Sequence, residues 1–184
     1  MGRPSIAEQR RIEIGRALQA CVINTGSYRL TTVKDIAQQA NVAPGLIHHY
    51  FESKDEILMM MEDLCLIDLG NALEELLRAR TPAERRARLD DLFGNHDNLI
   101  FFFSLYFLSI SMPELKKSIE DWKEELRLST ALLLKKDPRF VDTADLAADR
   151  FVCALLCALL QSSAIVDKQA RVIFEEALTA YFPL

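Results

Sequence analysis

The chain has 184 residues but only six glycines and six prolines. Breakers are therefore scarce, long helices are allowed, and no credible strand can be drawn. No apolar stretch free of charge reaches the ~18 residues that a membrane-spanning helix needs. The longest apolar run, "LIFFFSLYFLSISM", is shorter and lies mid-chain. The opening "MGRPSIAEQRR" lacks the apolar core of a signal peptide, so a cytoplasmic location and no membrane partner are expected. There is no CxxC pair among the four cysteines, Cys21, Cys65, Cys153 and Cys157, and no histidine near the last two in sequence. That argues against a zinc site. The four are expected to be buried thiols in a reducing compartment, with Cys153 and Cys157 packing from one face of a helix. Internal repeats and low-complexity segments are also missing.

What is present is an uneven distribution of charge. The net charge is −5. Residues 1–34 nevertheless carry six basic side chains (Arg3, Arg10, Arg11, Arg16, Arg29, Lys34) against Glu8 and Glu13, a net of +4. Residues 61–184 carry fifteen basic and twenty-one acidic residues, a net of −6. One end suits an anionic partner, and the rest avoids one.

Nearly all of the chain reads as helix, about nine in number. Ile6 to Thr25 carries helical apolar spacing, with Gly26 able to end it in the left-handed conformation. A short helix over about 32–40 ends near Asn41, which tolerates positive φ. Pro44 opens a third, to Tyr50, at a position where its missing N–H has no helical partner. Ser53–Glu56 and Thr81–Glu84 each read as a capping box. The first starts a long helix to about Arg80. "GNHDN", residues 94–98, breaks the next. An aromatic helix follows to about Ser111. Pro113 starts one to about Lys136, Asp142 or Thr143 one to about Val166, and Asp167 caps a last one to about Tyr181.

Two short helices joined by three residues have helix-turn-helix spacing. Ala37 must be small where they cross, and Ile36, Val42 and Ile47 supply their core. The segment "LTTVKDIAQQANVAPGLIHHYFESKDEIL" resembles the DNA-binding segment of the TetR family of transcriptional regulators. The matching residues are Thr31, Thr32, Ile36, Ala37, Ala40, Val42, Gly45, Ile47, Tyr50, Phe51, Ser53, Lys54 and Leu58. Departures are Asn41 for the usual turn glycine, Ala43 where a Ser or Thr usually caps, and Pro44 and Leu46 at the front of the third helix. His48 and His49 replace the usual aromatics, and Gly26 lies one residue further from Tyr28.

The resemblance implies an all-α fold. A helix-turn-helix DNA-binding domain (1–53) is joined by a long helix to a ligand-binding and dimerisation domain (54–184). It implies a homodimeric, sequence-specific repressor without catalytic role, cofactor or metal. Its partners would be a near-palindromic double-stranded operator and a small lipophilic effector that releases it. The DNA-facing residues would be Thr31, Thr32, Lys34, Pro44, Gly45, Leu46, His48, His49, Tyr50 and Lys54. Thr31 or Thr32 and Lys54 are expected on phosphates, and His48, His49 and Tyr50 on backbone or base edges. Arg3, Arg10 and Arg11 would add nonspecific attraction.

In the body, Phe102, Tyr106 and Ser109 recur at helical spacing near Trp122 and Met61, as an aromatic-lined cavity would require. His96, Ser104 and Gln161 are further polar candidates. By resemblance the last two helices build the dimer seam, through Val152, Leu155, Leu156, Leu159, Leu160, Ser163 and Phe174. Two other readings stand beside this one. The first is an enzyme using His48 and His49 with Asp35 or Glu52, for which no nucleophile, base and orienter are arranged. The second is a helical interaction module, for which the basic N-terminus would be coincidence.

Overall fold

The computed structural model describes residues 5–164 and 168–183, with the side chains of 161–164 and 168–170 outside the description. Among the described residues there are nine α-helices and no strand. These are α1 (Ile6–Thr25), α2 (Val33–Gln39), α3 (Pro44–Tyr50), α4 (Lys54–Arg78), α5 (Pro82–Gly94), α6 (His96–Leu108), α7 (Pro113–Leu134), α8 (Ala144–Ala164) and α9 (Lys168–Tyr181). Asp167, expected to cap α9, lies outside the described residues.

Identifiable residues set the boundaries of the first helices. Ser5 and Glu8 form a reciprocal capping box at α1, and Thr32 and Asp35 form another at α2. Each satisfies backbone N–H groups that a helix start leaves unpaired. Gly26, at φ 65°, stops α1, and Asn41, at φ 54°, turns the chain after α2. α3 starts at Pro44 without a side-chain cap, because Ala43 has no oxygen to offer.

The two expected capping boxes form only in part. Ser53 accepts from the Glu56 N–H, but the Glu56 carboxylate accepts from the Glu52 N–H at 2.7 Å, one residue early. Glu84 likewise reaches Arg80 N–H rather than Thr81. The expected five-residue break at 94–98 shrinks to Asn95, whose side chain caps α6 itself.

A hydrophobic core runs without interruption from Ile36 and Ile47, through Leu58 and Phe102, to Phe151 and Leu155. α4 is its spine. α1 lies close against it, because Gly15 leaves room for Met61, which is 4% exposed. α8 packs along α7 and α9, with Ala131, Ala144, Ala147 and Ala148 allowing close approach. Phe151 is ringed by Phe174, Tyr181 and Phe182 at centroid distances of 5.6, 6.1 and 5.1 Å.

This packing corrects the expected dimer seam. Val152, Leu155, Leu159 and Phe174 are buried in their own chain, so their apolar area is already spent there. Leu156 is half-buried and Leu160 is exposed. The Ser163 side chain lies outside the description. The arc of α8 that faces out instead carries Leu146, Cys153, Cys157 and Leu160. Val172 and Ile173 are exposed on α9. Cys21 and Cys65 are buried as expected, whereas Cys153 and Cys157 are not in the core.

Candidate nucleic-acid interface and body cavities

The α2–α3 pair is held from beneath. Ile36, Ala37 and Ile47 are buried, and the Val42 N–H donates to the Ala37 carbonyl at 2.9 Å, fixing the turn. α3 then presents Pro44, Gly45, His48 and His49 to solvent, with Leu46 and Tyr50 half-buried at its edges. The His49 and Tyr50 rings meet edge-on at 5.0 Å. A Cβ added at Gly45 would meet nothing within 4 Å. Glycine inside a helix costs ~1 kcal/mol relative to alanine, and no contact within the chain explains that cost here.

Polar side chains expected to point outward turn instead into the frame. Thr31 is buried and donates its hydroxyl to the Ser27 carbonyl at 3.1 Å, so it does not present a hydroxyl to a phosphate. Thr32 is exposed, but its hydroxyl donates to Asp35 at 2.6 Å. That contact holds the Asp35 carboxyl below the usual carboxylate range. Lys54 donates to the carbonyls of Tyr28 (3.0 Å) and Thr31 (2.7 Å) and lies over the Tyr28 ring. Two of its three N–H groups are therefore used. Burial lowers its proton affinity, and Asp55 opposes this. The Tyr28 hydroxyl donates to Asp55, and burial together with that carboxylate pushes the phenol well above its ordinary range.

Arg11 was expected to attract nucleic acid. It faces inward, donating to the Tyr50 carbonyl and to Glu56, and its guanidinium covers the Phe51 ring. This Arg11 contact, foremost, holds the Glu56 carboxyl below its usual range. Arg10 pairs with Glu13 at 2.7 Å. Lys34 remains exposed, and Arg3 lies outside the described residues. The sequence offered no sign of the Tyr28–Asp55–Lys54 and Arg11–Glu56 ties, because their partners are 26 to 45 residues apart. Together they lock the start of α4 to the end of α3 and the start of α2.

The aromatic residues expected to line one cavity of the body border at least two separate spaces. A groove of about 560 Å³ between α6, α7 and α8 is lined by Phe103, Tyr106, Leu156 and others. A cavity of about 280 Å³ between α4, α5 and α6 has Phe102, Leu69 and Leu99 in its wall and Asp68, Glu75 and Asp91 among its charged lining. Trp122 lines neither. It packs edge-on against Phe102 at 5.6 Å, with its indole nitrogen facing Gly70. Phe102 and Tyr106 thus belong to different spaces.

Other expected ligand residues turn elsewhere. His96 is exposed at the start of α6 and lines neither space, although Asn95 and Asn98 beside it border the smaller one. Met61 fills the α1 contact. The Ser104 hydroxyl donates to Ile100, and that of Ser109 to Tyr106. Ser104 borders a third space, near Tyr28 and Arg29. The Gln161 side chain lies outside the description.

One buried acid was not foreseen. Glu62, on α4, is 0% exposed. It accepts the Ser118 hydroxyl of α7 at 2.6 Å, while its second oxygen has no partner. Burial raises its proton affinity above the usual carboxyl range.

Comparison with known proteins places this arrangement. The family described as "Bacterial regulatory proteins, tetR family" matches residues 21–59, which contain α2 and α3. The HTH-type transcriptional regulator BetI of Brucella anthropi is 37% identical over 81 residues, 44% of this chain and 41% of that protein. BetI of Yersinia pestis is 32% identical over 90 residues, 48% of this chain and 45% of that protein. The chain therefore aligns with less than half the length of these curated relatives.

The likeness to solved structures runs through the whole chain. A TetR transcription regulator from Haloarcula marismortui superposes with a TM-score of 0.75 at 17% identity, covering 95% of this chain and 98% of the other. A transcriptional regulator from Saccharomonospora viridis, solved in complex with choline, gives 0.72 at 17% identity, covering 95% and 97%. At such identities the superposition shows the fold. Taken with the match of residues 21–59, it makes the chain similar to the TetR family of bacterial regulatory proteins in its head and in its fold.

Proposed function

We propose that the chain is a homodimeric DNA-binding transcriptional regulator, a repressor whose hold on its operator is loosened by a small molecule bound in the body. The observation that carries the DNA-binding part is the exposed α3 face. Its Gly45 has no packing reason to be glycine, and a helix that must lie close to a groove wall gains from a missing side chain. His48 and His49 flank it with hydrogen-bonding groups, and Lys34 with charge. Two copies of this face, related by a twofold axis, fit a near-palindromic site with half-sites about one helical turn, ~34–36 Å, apart. The enzyme reading has less behind it. Among the described residues neither imidazole hydrogen-bonds a carboxylate, and Asp35 is engaged by Thr32.

α4 supports the effector part. It begins at Lys54 in the head, and Leu69 places it in the wall of the 280 Å³ cavity. A ligand there that prefers one placement of α4 shifts the head with it, and it weakens DNA binding only by that preference. A coupling of ~1–3 kcal/mol, roughly 5- to 150-fold, is the usual scale. For the dimer, Leu146 of α8 and Val172 and Ile173 of α9 are among the large apolar side chains that the chain leaves exposed, and they lie on the two helices the seam would use.

The test is a gel-shift against genomic fragments at stated salt, repeated with apolar and amphipathic compounds, choline included. Retarded fragments that share a near-palindromic sequence support the reading. Binding indifferent to sequence, or a monomer by sedimentation at micromolar concentration, contradicts it. Trp122 fluorescence reports the ligand step, since its ring packs on Phe102 of the cavity wall. A compound that binds there and leaves operator affinity unchanged is no effector.

A further inference from the structure

α5 carries three arginines, and among the described residues only Arg88 of the three makes ion pairs, with Glu75 at 3.1 Å and Asp91 at 3.6 Å. Arg86 is exposed. Arg85 is 8% exposed, and one of its terminal nitrogens donates to the Phe182 carbonyl at 2.6 Å. Its Nε–H is buried and unpartnered. A guanidinium has five N–H groups and keeps its charge. Burying one beside a lone carbonyl, with no anion in reach, leaves that charge uncompensated. Burial accordingly lowers its proton affinity, and no carboxylate opposes this. Both arginines border a groove of about 440 Å³ between α5 and the end of α9, whose wall also holds Pro82, Leu89, Leu178, Thr179, Glu175 and Pro183. The other polar groups there are already engaged. The Glu175 carboxylate accepts from Arg171 at 2.7 Å, and the Thr179 hydroxyl donates to the Glu175 carbonyl at 2.8 Å. The start of α5 adds potential of the same sign. A cationic groove thus lies on a body whose net charge over residues 61–184 is −6. Val172 and Ile173, the α9 residues assigned to the contact between copies, are not in its wall.

We propose that this groove binds a small organic monocarboxylate, with its carboxylate set on Arg85 and Arg86 and its apolar body against Pro82, Leu89 and Leu178. A planar carboxylate matches the guanidinium fork, and charge-assisted bonds of this kind are the stronger ones. The Arg85 Nε–H is sealed within the chain, so the terminal nitrogens are the ones a ligand meets. Phosphate suits the groove less. With two cations and an otherwise apolar or engaged wall, a dianion would leave most of its oxygens without donors. One charge on a compact hydrocarbon fits both halves of the wall. The groove shares no wall residue with the 280 Å³ cavity beside α4, so the site stands apart from the effector reading.

The experiment titrates the full chain with benzoate by calorimetry at constant ionic strength in chloride. Benzamide serves as the uncharged isostere and inorganic phosphate as the rival anion, and backbone amide shifts map where benzoate binds. The site predicts saturable benzoate binding, weaker binding of benzamide and phosphate, and shifts grouped in residues 82–89 and 175–183. Arg85→Gln should weaken benzoate binding by about tenfold or more, the least that a hydrogen bond from a charged group contributes. Arg86→Ala should weaken it about two- to fivefold, as for an exposed ion pair. Arg85 also tethers Phe182, so if Arg85→Gln fails to fold, Arg86→Ala and the shift map decide alone. The absence of saturable binding overturns the proposal, as does benzamide or phosphate binding as tightly as benzoate. Shifts centred on the cavity between α4, α5 and α6, or an affinity unchanged in the folded variants, do the same. The readout involves no DNA, so its failure leaves the DNA-binding reading untouched.

Discussion

Replacing Lys54 with alanine separates a phosphate contact from a structural tie. The Lys54 ammonium donates to the Tyr28 and Thr31 carbonyls and lies over the Tyr28 ring. Hydrogen bonds from a charged group contribute about 1.5 kcal/mol each at the low end of their range, which suits a half-exposed nitrogen. An exposed cation–π contact adds ~0.5 kcal/mol. Water can satisfy part of what the carbonyls lose, so Lys54→Ala should cost about 2–3 kcal/mol of folding stability. A Lys54 engaged only with phosphate would cost almost nothing in folding and would reduce the salt slope of DNA binding by ~0.9. The assays are urea unfolding and anisotropy titrations of a labelled operator over a salt series. We expect the stability loss, with DNA affinity falling because the start of α2 loosens, and a slope change clearly below one phosphate. Unchanged stability with a full-phosphate loss of slope would refute the assignment of Lys54 to the frame.

Two further outcomes follow from the same packing. Gly15→Ala should destabilise the fold, since the added Cβ falls inside contact distance of the buried Met61 sulfur. An overpacking cost of ~1–3 kcal/mol outweighs the helix propensity gain of up to ~1 kcal/mol. Unfolding of the double variant with Met61→Ala should show a favourable coupling, and additive losses would contradict the contact. Glu62→Gln should stabilise the protein near neutral pH and have little effect in acid. The folded Glu62 holds its proton above the usual carboxyl range. Below that range both folded and unfolded chains are protonated, and nothing is lost. As pH rises through it, the unfolded chain releases the proton first and the native state loses relative stability until the folded group also ionises. Unfolding midpoints of the two proteins across that interval should diverge with rising pH, and parallel curves would exclude the linkage.

Much of the fold was legible in the sequence because local rules set it. Pro44, Pro82 and Pro113 mark helix starts, Gly26 and Asn41 take the positive φ their chemistry permits, and the helix-turn-helix spacing follows from Ile36, Ala37 and Ile47. What failed was non-local. Lys54 and Thr31 look like surface polar residues until carbonyls 23 and 26 residues away, or a turn beside them, are brought within reach. The apolar periodicity of α8 covers so much of the helix that it could not say which arc faces its own core, so Val152, Leu155 and Leu159 were placed on the wrong side. The aromatic run of α6 suggests one cavity wall, and Phe102 and Tyr106, four residues apart with rings 6.4 Å from one another, do share a face; but buried Phe102 borders the inner cavity and half-buried Tyr106 the outer groove, a difference of depth that helical spacing does not reveal. Glu62 gave no signal, since a buried carboxyl on an otherwise ordinary amphipathic helix shows itself only through what packs on it.

The central claim is that the exposed face of α3 lies against DNA. Gly45→Leu tests it most directly, because the new side chain enters open space in the chain itself and leucine favours the helix over glycine by up to ~1 kcal/mol. The measurement is the affinity of wild type and variant for an operator selected from random DNA, at one salt concentration, with unfolding followed in parallel. The account predicts a variant at least as stable as wild type that binds this operator more weakly by about tenfold or more, ~1.4 kcal/mol. An equally stable variant that binds the operator as tightly as wild type would contradict it.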